Sequence, residues 1–141
     1  IRGHDAERVW EALTEFQTCA DDPLTFEANL RPSQCMSFAE RATELGVAVQ
    51  VHAGNGLVVG QLPEEAATID QATSILRDLR AIACSQGGNL VVLHCDPEWK
   101  SRMPMCGDLE PSWVLMKQLK QKLDPQCLLN PGRFVDGATT G

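Results

Sequence analysis

Residues 24–95 switch hydrophobic period four times, and the order of those switches limits the fold more than any other feature of the chain. Leu24, Phe26, Ala28 and Leu30 alternate with Thr25, Glu27, Asn29 and Arg31, the period-two pattern of a strand with one buried and one polar face. Pro32-Ser33 then opens a helix with a stripe of Met36, Ala39, Ala42 and Leu45, and Gly46 supplies a left-handed terminator. Val47, Val49 and Val51 restart the strand period. Gly54-Asn55-Gly56 is a turn in which positive φ costs little, and residues 57–62 run back as the second arm of a β-hairpin. Thr68 and Gln71 have the spacing of a capping box. Ile69, Ala72, Leu76, Leu79 and Ala83 mark the long amphipathic helix that follows, and Gly87-Gly88 ends it. Residues 90–93 read as a fully buried strand.

Strand, helix, strand, strand, helix, strand is the βαββαβ order of an α+β, ferredoxin-like sandwich, an antiparallel sheet with helices on one face. Extra helices flank it. One is expected over 5–17, capped by Asp5, with Val9, Ala12, Leu13 and Phe16 on one side. Another carries Val114, Leu115, Leu119 and Leu123, has lysines near its negative end, and is broken by Asp124-Pro125. Between Asp96 and Glu110 no period holds. With 141 residues the chain is the size of one domain, placed at 1–136 with a small-residue tail at 137–141.

Nineteen acidic against twelve basic residues, a net charge of −7 without a Lys/Arg cluster, argue against a nucleic-acid partner. Apolar runs are too short for a transmembrane segment. Cys19, Cys35, Cys84, Cys95, Cys106 and Cys127 include no CxxC pair, so free thiols and a cytoplasmic location are expected. His4 is expected in solvent and His94 as a buried, backbone-bonded core histidine; His94 and Cys95, as strand neighbours, point to opposite faces and cannot pair as base and nucleophile. His52 stands out because it precedes a small-residue turn through which a ligand or another domain can approach, although a hairpin needs those residues for conformational reasons alone. Arg133 follows the rigid Asn130-Pro131-Gly132 turn, where it either meets an anionic group or sits in solvent.

Two stretches carry a resemblance. Residues 123–134, Leu-Asp-Pro-Gln-Cys-Leu-Leu-Asn-Pro-Gly-Arg-Phe, resemble the C-terminal signature of the FAD-linked oxidases, the flavoproteins that include glycolate oxidase and D-lactate dehydrogenase subunits. Residues 51–56, Val-His-Ala-Gly-Asn-Gly, are similar to the His-x-Gly-x-Gly turn of their substrate, or cap, domain. The resemblance implies a C-terminal cap domain of an FAD-dependent oxidoreductase acting on a 2-hydroxy acid such as glycolate. It further implies an upstream flavin-binding domain that holds most of the FAD, partner subunits of an oxidase complex, and a fragment that is inactive and colourless alone. His52, Asn55, Asn130 and Arg133 become the residues expected near substrate and flavin. Metal-binding relatives carry a longer His-x-Gly-Asp-Gly-Asn-x-His motif; here Asn55 replaces the aspartate and the second histidine is absent, which implies no metal site and a better match to the E-subunit type of glycolate oxidase. A regulatory or ligand-binding ferredoxin-like module, or a subunit-assembly domain without catalytic activity, is the competing reading that topology alone permits.

Overall fold

A computed structural model describes residues 3–16, 23–62, 68–100, 102–107 and 111–129. The chain is α+β and divides into two compact units, Ile1–Met105 and Cys106–Gly141, with the boundary inside the irregular connection. The first unit holds α1 (His4–Glu15), β1 (Leu24–Asn29), a 3-10 turn (Pro32–Gln34) that leads into α2 (Cys35–Glu44), β2 (Ala48–His52), β3 (Leu57–Leu62), α3 (Ile69–Ser85) and β4 (Asn89–Cys95). The second holds α4 (Pro111–Leu123). The tail expected at 137–141 lies outside the described residues.

The four strands form one antiparallel sheet in the order β2-β3-β1-β4. Register puts Phe26 opposite Gly60 and Val92, and Ala28 opposite Val58 and Leu90, so one face of all four strands is apolar. That face and the apolar stripes of α2 (Cys35, Phe38, Ala42) and α3 (Ala72, Leu76, Leu79, Ala83) form a single core, and most of these side chains have no exposed surface. Glycine terminators end both helices. Gly46 and Gly87 have φ of 81° and 73°, and in each case the amide beyond the glycine donates back to the third-last helical carbonyl: Val47 to Ala42 at 3.0 Å and Gly88 to Ala83 at 2.9 Å. At the start of α3, the Gln71 amide donates to Thr68 Oγ1 at 3.3 Å while the Thr68 hydroxyl lies 3.0 Å from Gln71 Oε1, the capping pair that the spacing predicts.

Three local expectations are corrected. Asp5 does not cap α1; Gly3 occupies that position without a side-chain bond, and Asp5 lies in the first turn, where its charge suits the helix dipole. Residues 90–93 are not wholly buried, because Phe26 pairs with Val92 and Thr25 with His94, which leaves Leu93 as an extra residue at a bulge, 51% exposed. The bulge also returns His94 to the sheet face opposite the core, so it is an exposed histidine and not a core one.

Candidate functional site

The hairpin between β2 and β3 is built by its own backbone. Asn55 N–H donates to His52 O at 3.2 Å, and Gly56 adopts φ 77° so that its carbonyl accepts from Leu30 N–H at 2.7 Å. A Cβ at Gly56 would lie 2.0 Å from Leu30 O, so glycine here is demanded by the close approach of the turn to the β1–α2 connection. That requirement explains the glycine without a ligand, and it leaves the exposed side chains of His52 and Asn55 as the chemically available part of the motif. Among the described residues the His52 ring has no hydrogen-bond partner.

His52 closes β2 opposite Leu57, Leu57 is opposite Asn29, and Asn29 is opposite Asn89, so these residues form one row on the face away from the core. Asn29 Nδ2 donates to Glu27 Oε1 at 3.3 Å on the same face. The alternation of β1 had already placed Glu27 and Asn29 on a polar face, and only the strand order aligns them with His52. His94 is paired with Thr25 at the other end of β4, on the opposite edge of the sheet, so the register does not bring the two histidines together. Cys95 turns into the core beside Met105, with sulfurs 3.8 Å apart. Burial pushes its thiol up, against the lowering effect of Lys100 and with a further raising effect of Asp96. A protonated, buried thiol facing away from His94 is no nucleophile, in line with the neighbour argument.

In the second unit, the feature that sequence reasoning missed is Asp124. Beyond ending α4 with Pro125, it is 6% exposed and anchors the chain that follows. Its carboxylate accepts from the Leu128 and Leu129 amides, both at 2.9 Å, and from Lys120 Nζ, which also donates to Leu129 O at 2.6 Å. Cys127 N–H donates to Asp124 O at 3.0 Å, and Cys127 takes φ 52°, an uncommon position for a residue with a side chain. The i,i+4 spacing of Lys120 and Asp124 was the available signal. This clasp shapes residues 124–129, which lead directly into Asn130; Asn130 and Arg133 themselves lie outside the described residues.

Lys120, bonded to the Asp124 carboxylate, with the Leu129 and Leu128 amides, holds the Asp124 carboxyl below the usual carboxylate range. A lowered folded pKa means that the clasp contributes stability above the unfolded value and loses it as pH falls through the folded one. NMR of the Leu128 and Leu129 amides should therefore show an ordered loop at neutral pH that loosens in acid below the range of a free aspartate. Asp124→Asn should remove that acid transition; a wild-type loop unchanged throughout the acid range would contradict the clasp.

Cys35, Cys84, Cys95, Cys106 and Cys127 are free thiols, and Cys19 lies outside the described residues. Among the described residues no helix is long and apolar enough to cross a membrane. Comparison with models of known protein families, with curated proteins and with solved structures gave no match in any of the three.

Proposed function

We propose that this chain is the C-terminal substrate-cap domain of an FAD-dependent oxidoreductase of 2-hydroxy acids, glycolate being the type substrate. The observation that carries the reading is the His52 hairpin: the glycine the turn needs is satisfied inside the fold, and the histidine is left exposed and unpartnered beside the polar face of the sheet. The strand order, with α2 and α3 on one face, supports the finer description as a ferredoxin-like βαββαβ sandwich. An exposed apolar row on the second unit, Leu115, Leu119, Leu123, Leu128 and Leu129, supports a partner domain that covers it in the intact protein. A cytoplasmic location follows from the same reading.

In this reading the polar sheet face around His52 forms one wall of the substrate site and the flavin-binding domain the other. FAD, when bound, supplies the hydride acceptor. The His52 imidazole is suited to hold the proton of the substrate hydroxyl, and Arg133, outside the described residues, is carried by the resemblance alone as a fixed cation for an anionic group. Asn55 can orient a substrate oxygen from the turn.

In a protein containing both domains, His52→Ala and Arg133→Ala should each slow anaerobic reduction of the flavin by glycolate by about tenfold or more, the scale of one lost charge-assisted contact. The melting temperature of the 141-residue chain should scarcely change for His52→Ala, because the ring supports no other described group. Wild-type reduction rates in both variants would remove these residues from the site.

A further inference from the structure

The residue that follows each asparagine decides how readily its side chain can be lost as ammonia, because the loss begins when the next backbone nitrogen attacks the asparagine Cγ. The chain offers Asn29, Asn55, Asn89 and Asn130. Asn29 and Asn89 precede leucines, whose side chains crowd the attacking nitrogen, and Asn130 precedes Pro131, which has no N–H to give up. Asn55 precedes Gly56, which has no Cβ to stand in the way.

The fold sharpens this contrast. Asn29 and Asn89 face each other in the β1–β4 ladder, which fixes their backbones, and Asn29 Nδ2 is also tied to Glu27 Oε1. Asn55 lies in the turn with its side chain exposed, and among the described residues neither its side-chain amide nor the Gly56 N–H has a hydrogen-bond partner. A Cβ at Gly54 would meet nothing within 4 Å, so the tip of the turn stands clear of the fold. The turn is held at its flanks, by Asn55 N–H to His52 O at 3.2 Å and by Leu30 N–H to Gly56 O at 2.7 Å. Neither bond engages the two groups that would react, the Asn55 Cγ and the Gly56 nitrogen.

We propose that Asn55-Gly56 is a self-modification site, at which the hairpin turn passes from neutral to anionic by deamidation. The Gly56 nitrogen gives its proton to hydroxide or another solvent base and bonds to the Asn55 Cγ; the bond from Cγ to the side-chain nitrogen breaks, ammonia leaves, and a cyclic succinimide remains. Water then opens the ring. Addition at the Cγ carbonyl breaks the new bond and yields aspartate, whereas addition at the backbone carbonyl breaks the original peptide bond and yields isoaspartate, with the chain running through Cβ and Cγ. Either way, asparagine and water become a carboxylic acid and ammonia, and no oxidant or other co-reactant is needed. The fold separates the two products. Aspartate keeps the backbone and places a carboxylate beside the exposed His52, on a hairpin whose residues 47–62 include no Asp, Glu, Lys or Arg, so an anion approaching His52 meets a repulsion that the asparagine form lacks. Isoaspartate inserts an extra backbone carbon directly before Gly56, where the approach to Leu30 O leaves no room even for a Cβ, and the Leu30 N–H to Gly56 O bond is lost. The inference is independent of the flavoprotein reading.

The folded 141-residue chain, incubated at mildly alkaline pH in heavy-oxygen water and digested in ordinary water, should acquire the labelled mass gain of NH2 replaced by OH at residue 55 while residues 29 and 89 stay unchanged over the same period. Asn55→Ser should abolish the gain. Aged molecules carrying isoaspartate should lose hydrogen-exchange protection at the Leu30 amide, and Asn55→Asp, which adds the charge without lengthening the backbone, should keep it. An unlabelled gain that arises only during digestion, no gain at residue 55, or an equal gain at Asn29 or Asn89 would each overturn the proposal. Leu30 protection retained in the isoaspartyl form would overturn the separation of the two products by the fold.

Discussion

Phe26→Ala is expected to destabilise the first unit by about 3–5 kcal/mol, the cost of deleting a fully buried aromatic side chain. Against a total stability of about 5–15 kcal/mol this is a large fraction, and at the lower end of that range it brings the unit near its unfolding midpoint. The ring occupies a place prepared for it by β3: a Cβ on Gly60 would stand 2.2 Å from Phe26 Cζ and 2.6 and 2.8 Å from the two Cε atoms. Cross-strand pairing of Phe26 with Gly60 thus lets the aromatic ring lie over the glycine backbone. The consequence is a coupling of definite sign. Gly60→Ala alone must displace the ring and should destabilise, whereas in the Phe26→Ala background the added methyl enters the vacated space and should cost less or even stabilise. Urea unfolding of the four proteins measures this, and strictly additive effects would contradict the packing.

Arg80→Met should produce the second largest loss, about 2–4 kcal/mol, through hydrogen bonding and not through volume. Arg80 is 8% exposed and its guanidinium donates to three carbonyls, of Leu90 at 3.4 Å, of Met105 at 3.2 Å and of Pro104. Methionine keeps the stem in the core but leaves these acceptors without the fork. Lysine should recover only part of the loss, since a single ammonium cannot span carbonyls on two segments. The local readout is specific: Val92 N–H, which depends on Met105 O, should lose hydrogen-exchange protection before the amides of β1 do. Equal melting of Arg80→Met and wild type, with Val92 still protected, would show that the 103–105 segment is held by other means.

These residues mark what the sequence could and could not convey. The alternation of Leu24 to Arg31, the stripe of α3, the Thr68 cap and the Gly46 and Gly87 terminators were legible because each rests on neighbours within a few positions; the stripe expected for α2 was right at Ala39 and Ala42 but wrong at Met36, which is 61% exposed while Cys35 and Phe38 face the core. The bulge at Leu93 was not, since it arises from the pairing of β4 with β1, more than sixty residues earlier, and it exposed a histidine that strand burial alone would have hidden. Arg80 resembled any helical arginine until residues 104 and 105 came back to it. Likewise, Asp124-Pro125 announced the end of α4, but the use of the carboxylate as an anchor for Leu128 and Leu129 depends on a loop whose path has no periodicity. At the candidate site the turn was readable and the company of His52 was not: Asn29 joins its row only through the β2-β3-β1 order.

The most direct test of the account is spectroscopic. The protein containing this chain together with the segment encoded before it should purify yellow, carry FAD, and lose its absorbance near the flavin maximum when glycolate or another 2-hydroxy acid is added without oxygen, while the 141-residue chain alone stays colourless. A flavin bound tightly by the 141-residue chain itself, or a longer protein that carries no flavin or carries one that no 2-hydroxy acid reduces, would contradict it.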